Sequence, residues 1–117
     1  MALDVRTKRA YDPAEAGDGH RVLIDRIWPR GVKRDALRLE EWARDLAPSA
    51  ELRRLFGHDP ERFGEFRSRY RAELAARGDE LEALRRRARR GTVTLVYAAR
   101  DREHNNAVVL AELLRDG

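Results

Sequence analysis

The sequence predicts a small three-layer α/β fold, a short and mostly parallel sheet flanked by helices. Three observations predict it. Val22-Leu23-Ile24 is a continuous apolar run, the pattern of a strand covered on both faces, and Thr92-Val93-Thr94-Leu95-Val96-Tyr97 is rich in β-branched residues. Between these runs lie amphipathic segments with cap residues at their starts, and a strand that returns after helices usually lies parallel to the one it left. The 117 residues suffice for one core and not for two, so residues 1–117 read as a single domain.

Leu3, Val5 and Thr7 alternate with Asp4, Arg6 and Lys8 in a short first strand of open orientation. Tyr11-Asp12-Pro13-Ala14-Glu15 reads as a turn, with Asp12 a candidate cap and Pro13 at a first helical position, and Gly17-Asp18-Gly19 ends it. The second strand is expected from about residue 21 to 27. Pro29 lacks an N–H and pushes Trp28 out of the helical region, so neither strand nor helix passes through it, and Gly31 permits a bend.

Leu37, Leu39 and Trp42 suggest a helix that stops before Pro48, and Ser49 caps a helix containing Leu52, Leu55 and Phe56, closed by Gly57. Asp59-Pro60-Glu61 is the clearest helix start in the chain. Phe63, Phe66, Tyr70 and Leu74 follow on one face as core. Gly78 is expected to end that helix and Asp79 to cap the next, whose apolar side is Leu81, Leu84 and Ala88. After the third strand, a polar loop leads into a helix with Ala107, Val108, Ala111 and Leu114 on one face.

Composition narrows the function classes. The chain is 42% hydrophobic and 39% charged, with no stretch near the ~20 apolar residues of a membrane span, so a cytoplasmic protein is expected. It has no cysteine, which removes disulfides, thiolate nucleophiles and cysteine-based zinc sites. His20, His58 and His104 match no metal-ligand spacing, and no metal site is expected. No triad, phosphate-loop motif or dinucleotide fingerprint names a cofactor. The net charge of +4 invites a nucleic-acid reading, centred on Arg85, Arg86, Arg87, Arg89 and Arg90. Cations at a helix end facing solvent explain that run more simply, and nucleic-acid binding stands as the alternative.

The stretch from Arg21 to Lys33 passes from buried strand to charge within a few residues. Parallel strands share a carboxyl end, and in open α/β sheets ligands bind there. The loop carrying Asp25, Arg26, Trp28, Arg30 and Lys33 should therefore face the loop carrying Arg100, Asp101, His104 and Asn105. If the first strand is parallel too, Lys8, Arg9 and Tyr11 join that edge. Arginine forks and helix-start amides together suit a phosphate or carboxylate on a small molecule.

Asp25 or Asp101 can serve as a general base and His104 can exchange a proton near neutrality. Tyr97 is either a buried strand-end tyrosine or, with a lowered pKa, a nucleophile. Two scaffold readings stand beside these: Asp25 and Arg26 as an ion pair with Trp28 in the core, and Asn105 as a helix cap. A further alternative is an interaction protein whose Arg-Trp-Pro-Arg loop grips an acidic partner.

RVLIDRIWPRGVKR, VYAARDREHNNAVVLAELL and the intervening WARDLAPSAELRRLFGHDPERFGEFRSRYRAEL resemble the signatures of the YeaO-like branch of DUF488, a bacterial domain-of-unknown-function family. The likeness covers nearly the whole chain. It implies a small three-layer α/β fold and a single cytoplasmic domain, and supplies no function. The matching positions are Asp25, Arg26, Trp28, Pro29, Arg30, Gly31, Lys33, Tyr97, Asp101, Asn105 and Ala107. Distant branches of the family carry cysteines and a Cys-His-Arg sequence near the third strand and final helix. Here Tyr97 and His104-Asn105-Asn106 stand there, so thiol chemistry does not transfer.

Overall fold

The computed structural model describes residues 3–116. Four parallel strands, β1 (Val5–Arg9), β2 (His20–Leu23), β3 (Glu41–Trp42) and β4 (Val93–Tyr97), form one sheet in the order β1-β4-β2-β3. β4 is buried along its length and takes the centre, pairing from Val5↔Val93 to Arg9↔Tyr97 on one side and from His20↔Val93 to Leu23↔Val96 on the other. An apolar, β-branched strand suits that position because both its edges are hydrogen-bonded.

Among the described residues five α-helices accompany the sheet: α1 (Arg34–Leu37), α2 (Ala50–Phe56), α3 (Phe63–Leu74), α4 (Gly78–Arg90) and α5 (Asn106–Asp116). Strand alternation divides the core in two. Val5, Val22, Ile24, Val93, Leu95 and Tyr97 join the main cluster with the inner faces of α2 to α5. There the stripe Phe63, Phe66, Tyr70 and Leu74 is buried as its spacing predicts. Leu23 and Val96 point to the opposite face, where Ala10, Leu37, Trp28, Val32 and Trp42 cover them. The third layer is thus one helical turn and a loop. No helix among the described residues is long and apolar enough to cross a membrane.

The second face also carries a buried ionic hub. Lys8 Nζ of β1 lies 3.1 Å from Asp18 Oδ1, and Arg21 Nη1 of β2 lies 2.6 Å from Asp18 Oδ2. Arg21 Nε donates to Leu37 O at 2.9 Å, and Thr94 Oγ1 of β4 donates to the Asp18 carbonyl at 2.7 Å. Lys8 is spent here rather than at the carboxyl edge of the sheet.

Several expectations are corrected. The segment around Leu37, Leu39 and Trp42 is not one helix: α1 stops after one turn, Arg38 turns left-handed at φ 47°, and Glu41–Trp42 pairs with Val22–Leu23. The open edge of β2 accounts for it, since Arg21 O and Leu23 O accept from Glu40 N and Ala43 N at 2.9 and 2.8 Å. Residues 12–15 form no helical turn; a 3-10 turn follows at Ala16–Asp18 with Glu15 as its cap, while Asp12 pairs with Arg102 at 2.8 Å. Gly78 does not end a helix. A 3-10 turn at Ala75–Arg77 carries the chain from α3 into α4, leaving Asp79 in the first turn and not at the cap. β2 is shorter than expected, ending at Leu23, with one further ladder bond from Ile24 N to Val96 O at 3.1 Å.

Two stability predictions follow from the core and the hub. Asp18→Ala leaves the Arg21 side chain, 4% exposed, as a buried unpaired cation, and urea unfolding should show a loss of about 3–5 kcal/mol. Phe66→Ala removes a ring stacked on Phe56 at 4.5 Å and should cost about 3–5 kcal/mol by the same measurement. Unchanged midpoints would show that neither group holds the fold.

Candidate functional site

The loops after β2 and β4 leave the sheet in opposite senses. β2 continues to α1 on the second face and out to the edge strand β3, whereas β4 continues into α5, which packs on the first face against β1. That is a topological switch point, and the diverging loops leave a cleft between them. Its volume is about 760 Å³, and residues of both loops line it together with parts of α2 and α3.

The β2 loop is pinned at each end of its turn. Trp28 Nε1 donates to Val32 O at 2.7 Å and its ring meets Trp42 edge-on at 5.3 Å. Pro29 is buried, and Val32 N bonds back to Pro29 O across Gly31, whose φ of 78° only glycine adopts without strain. Tyr11 Oη donates to Arg30 O at 3.0 Å. With the backbone held in this way, the side chains of Arg26, Ile27 and Arg30 project outward; Ile27 is 65% exposed.

Asp25 lines the cleft, and among the described residues no cation is in contact with it. Its Oδ2 accepts from Ala98 N at 2.9 Å and its Oδ1 from Asn106 Nδ2 at 3.0 Å, which also donates to Ile24 O. Burial pushes the Asp25 carboxyl up, against the pull of those two hydrogen bonds and of the charges on Arg53 and His58. Among the described residues it makes no ion pair with Arg26, so the pairing weighed from sequence is absent.

Four arginines line the same cleft: Arg26, Arg30, Arg53 and Arg100. Among the described residues none of them pairs with a carboxylate. Arg53 Nε is buried and has no hydrogen-bond partner among the described residues. Sequence reading missed Arg53, which sits beside Arg54 in a charged helix; the available signal was its place three residues before the core residue Phe56, on the same helix face. His58 was missed as well. It lines the cleft from a left-handed backbone, φ 57°, directly after Gly57.

The remaining predicted residues divide. Trp28, Asp101 and Asn105 line the cleft, but Asp101 is committed to its own loop: Oδ1 accepts from Glu103 N and His104 N at 2.9 and 3.0 Å, and Oδ2 sits 2.9 Å from His104 Nδ1. Those bonds, the one from Glu103 first, hold its carboxyl below the usual range. Asn105 caps α5, its Oδ1 accepting from Val108 N at 3.0 Å. His104 packs edge-on against Phe63 at 5.1 Å, outside the lining. Lys33 is exposed at the start of α1, also outside it. Tyr97 is buried in the main core and burial raises its hydroxyl pKa, so the lowered pKa required of a nucleophile is not found. Arg9 Nε donates to Ala99 O at 2.8 Å and its guanidinium lies over the Tyr11 ring.

Residues 4–117 match the family model described as the inactive DUF488-N3 subclade. The chain is 43% identical over 113 residues to the uncharacterized protein YeaO of Escherichia coli, an alignment covering 97% of this chain and 98% of that one. It is 47% identical over 110 residues to the uncharacterized proteins Mb3100c of Mycobacterium bovis and Rv3073c of Mycobacterium tuberculosis, covering 94% of this chain and 92% of each. No solved structure matches it.

The raised Asp25 pKa sets the sign of a pH effect. Below the ordinary value of 3.8 the group is neutral whether folded or not; above it the unfolded chain releases the proton first, so Asp25 costs stability increasingly as pH rises through its folded pKa. In urea titrations, wild type should therefore lose ground to Asp25→Asn between pH values below 3.8 and neutrality. A stability difference that is flat across this window would refute the assignment.

Proposed function

We propose that this chain, which belongs to the inactive DUF488-N3 subclade, is a cytoplasmic binding protein whose cleft holds a small molecule bearing a phosphate or carboxylate. One observation carries the reading: Arg26, Arg30, Arg53 and Arg100 line a single cleft, and among the described residues none of them has a carboxylate partner. Cations gathered along one cleft repel one another, and an anionic group between them offsets that repulsion. Guanidinium forks also match the planar spacing of carboxylate and phosphate oxygens. Exposed Ile27 and the half-exposed Tyr11 at the same cleft supply apolar surface for the rest of such a molecule.

The basic run on α4 competes poorly with this reading because part of it is already occupied. Arg85 donates to Leu113 O and Leu114 O, the last carbonyls of α5, and both Arg85 and Arg89 pair with Glu82.

Melting in sodium phosphate, against sodium chloride at equal ionic strength, tests the proposal. A ligand at 100 times its Kd stabilises by about 2.7 kcal/mol, so wild type should melt higher in phosphate. Arg53→Ala and Arg30→Ala should lose the shift, and Arg87→Ala, exposed on α4, should keep it. Absence of any phosphate-dependent shift in wild type would defeat the proposal.

A further inference from the structure

We infer that the molecule held in the cleft is a zwitterion, carrying a protonated amine for Asp25 beside the anionic group for the arginines. This inference rests on the anion-binding reading above and adds the second half of the ligand. A carboxylate offers about four acceptor positions, and among the described residues Asp25 accepts two hydrogen bonds, from Ala98 N and Asn106 Nδ2. Asp25 lines the cleft, and among the described residues no cation touches its carboxylate. A partly buried carboxylate in a cleft lined by arginines ordinarily takes one of them as a partner, because an uncompensated charge is costly away from water.

Arg53 is near enough to act on Asp25 through space, yet it makes no ion pair with it and keeps its own Nε without an acceptor. A cation and an anion in one cleft, each lacking its counter-group and not meeting each other, fit a ligand that comes between them with the opposite order of charges. Asn106 strengthens the point. Its Nδ2 is held by Ile24 O as well as by Asp25, so the amide presents a donor and keeps Asp25 in the role of acceptor. The burial-driven rise in the Asp25 pKa agrees with a charge that the protein alone undercompensates.

Calorimetric titration of wild type at neutral pH with two matched pairs tests this: ethyl phosphate against 2-aminoethyl phosphate, and propyl phosphate against 3-aminopropyl phosphate. In at least one pair the amine should tighten binding about tenfold or more, the worth of one charge-assisted hydrogen bond. Asp25→Asn should erase that gain, so that each amine binds no more tightly than its alkyl partner; Arg53→Ala should weaken all the probes. Equal affinities within both pairs would overturn the zwitterion and leave the anion reading standing, whereas binding of none of the probes would overturn both. A gain that survives in Asp25→Asn would overturn the assignment to Asp25. The wild-type comparison needs no variant, so it decides the matter even if Asp25→Asn fails to fold.

Discussion

The carboxylate of Asp18 holds the sheet together from its second face. It accepts from Lys8 on β1, Arg21 on β2 and the Glu15 amide, while its carbonyl accepts from Thr94 on β4. Arg21 extends the network to the end of α1. Burial alone would push the Asp18 carboxyl up, but the Glu15 amide, Lys8 and Arg21 together hold it below its ordinary value, so it stays ionised. The turn has to run close against β4 for this. Gly19 sits at φ 62° with Thr92 O only 2.4 Å from where a Cβ would stand, a place that no side chain fits.

This arrangement separates two populations of cation. Lys8 and Arg21 are consumed in the second face, where they neutralise Asp18 and tie β1 to β2 across β4. The arginines at the carboxyl edge are left without such duty, because the chain leaves β2 and β4 in opposite senses and neither loop can cover the other. Polarity at that edge is therefore a product of topology: buried strands end there, and the side chains that follow meet a cavity instead of a core.

Much of this was legible in the residues. The β-branched run of β4, the aromatic stripe of α3 and the caps at Ser49 and Asp59 act locally, and each is observed, with Leu52 N bonded to Ser49 and Glu61 N to Asp59. The meeting of the loops after β2 and β4 was legible because parallel strands share an end. What stayed hidden depends on distant partners. The two-residue β3 exists because β2 has an open edge, Asp18 owes its importance to residues 8, 21 and 94, and Arg53 looks like any exposed helical arginine until α2 is folded against the cleft. Gly78 reads as a helix stop, but it adopts a right-handed helical φ of −54° and lets the chain pass.

The paired indoles behind the β2 loop have an optical consequence. Trp28 and Trp42 are the two tryptophans of the chain, packed edge to face, one bonded to Val32 O within the loop and the other to Asp25 O at its root. The Arg44 guanidinium lies 3.7 Å from the Trp42 ring centre. All indole emission thus originates within one short hydrogen-bonded path of the cleft, and none from the α2 to α5 side of the core. The protein carries a built-in fluorophore for that loop: a change in its emission reports the surroundings of Asp25, while helical circular dichroism independently reports whether the rest remains folded.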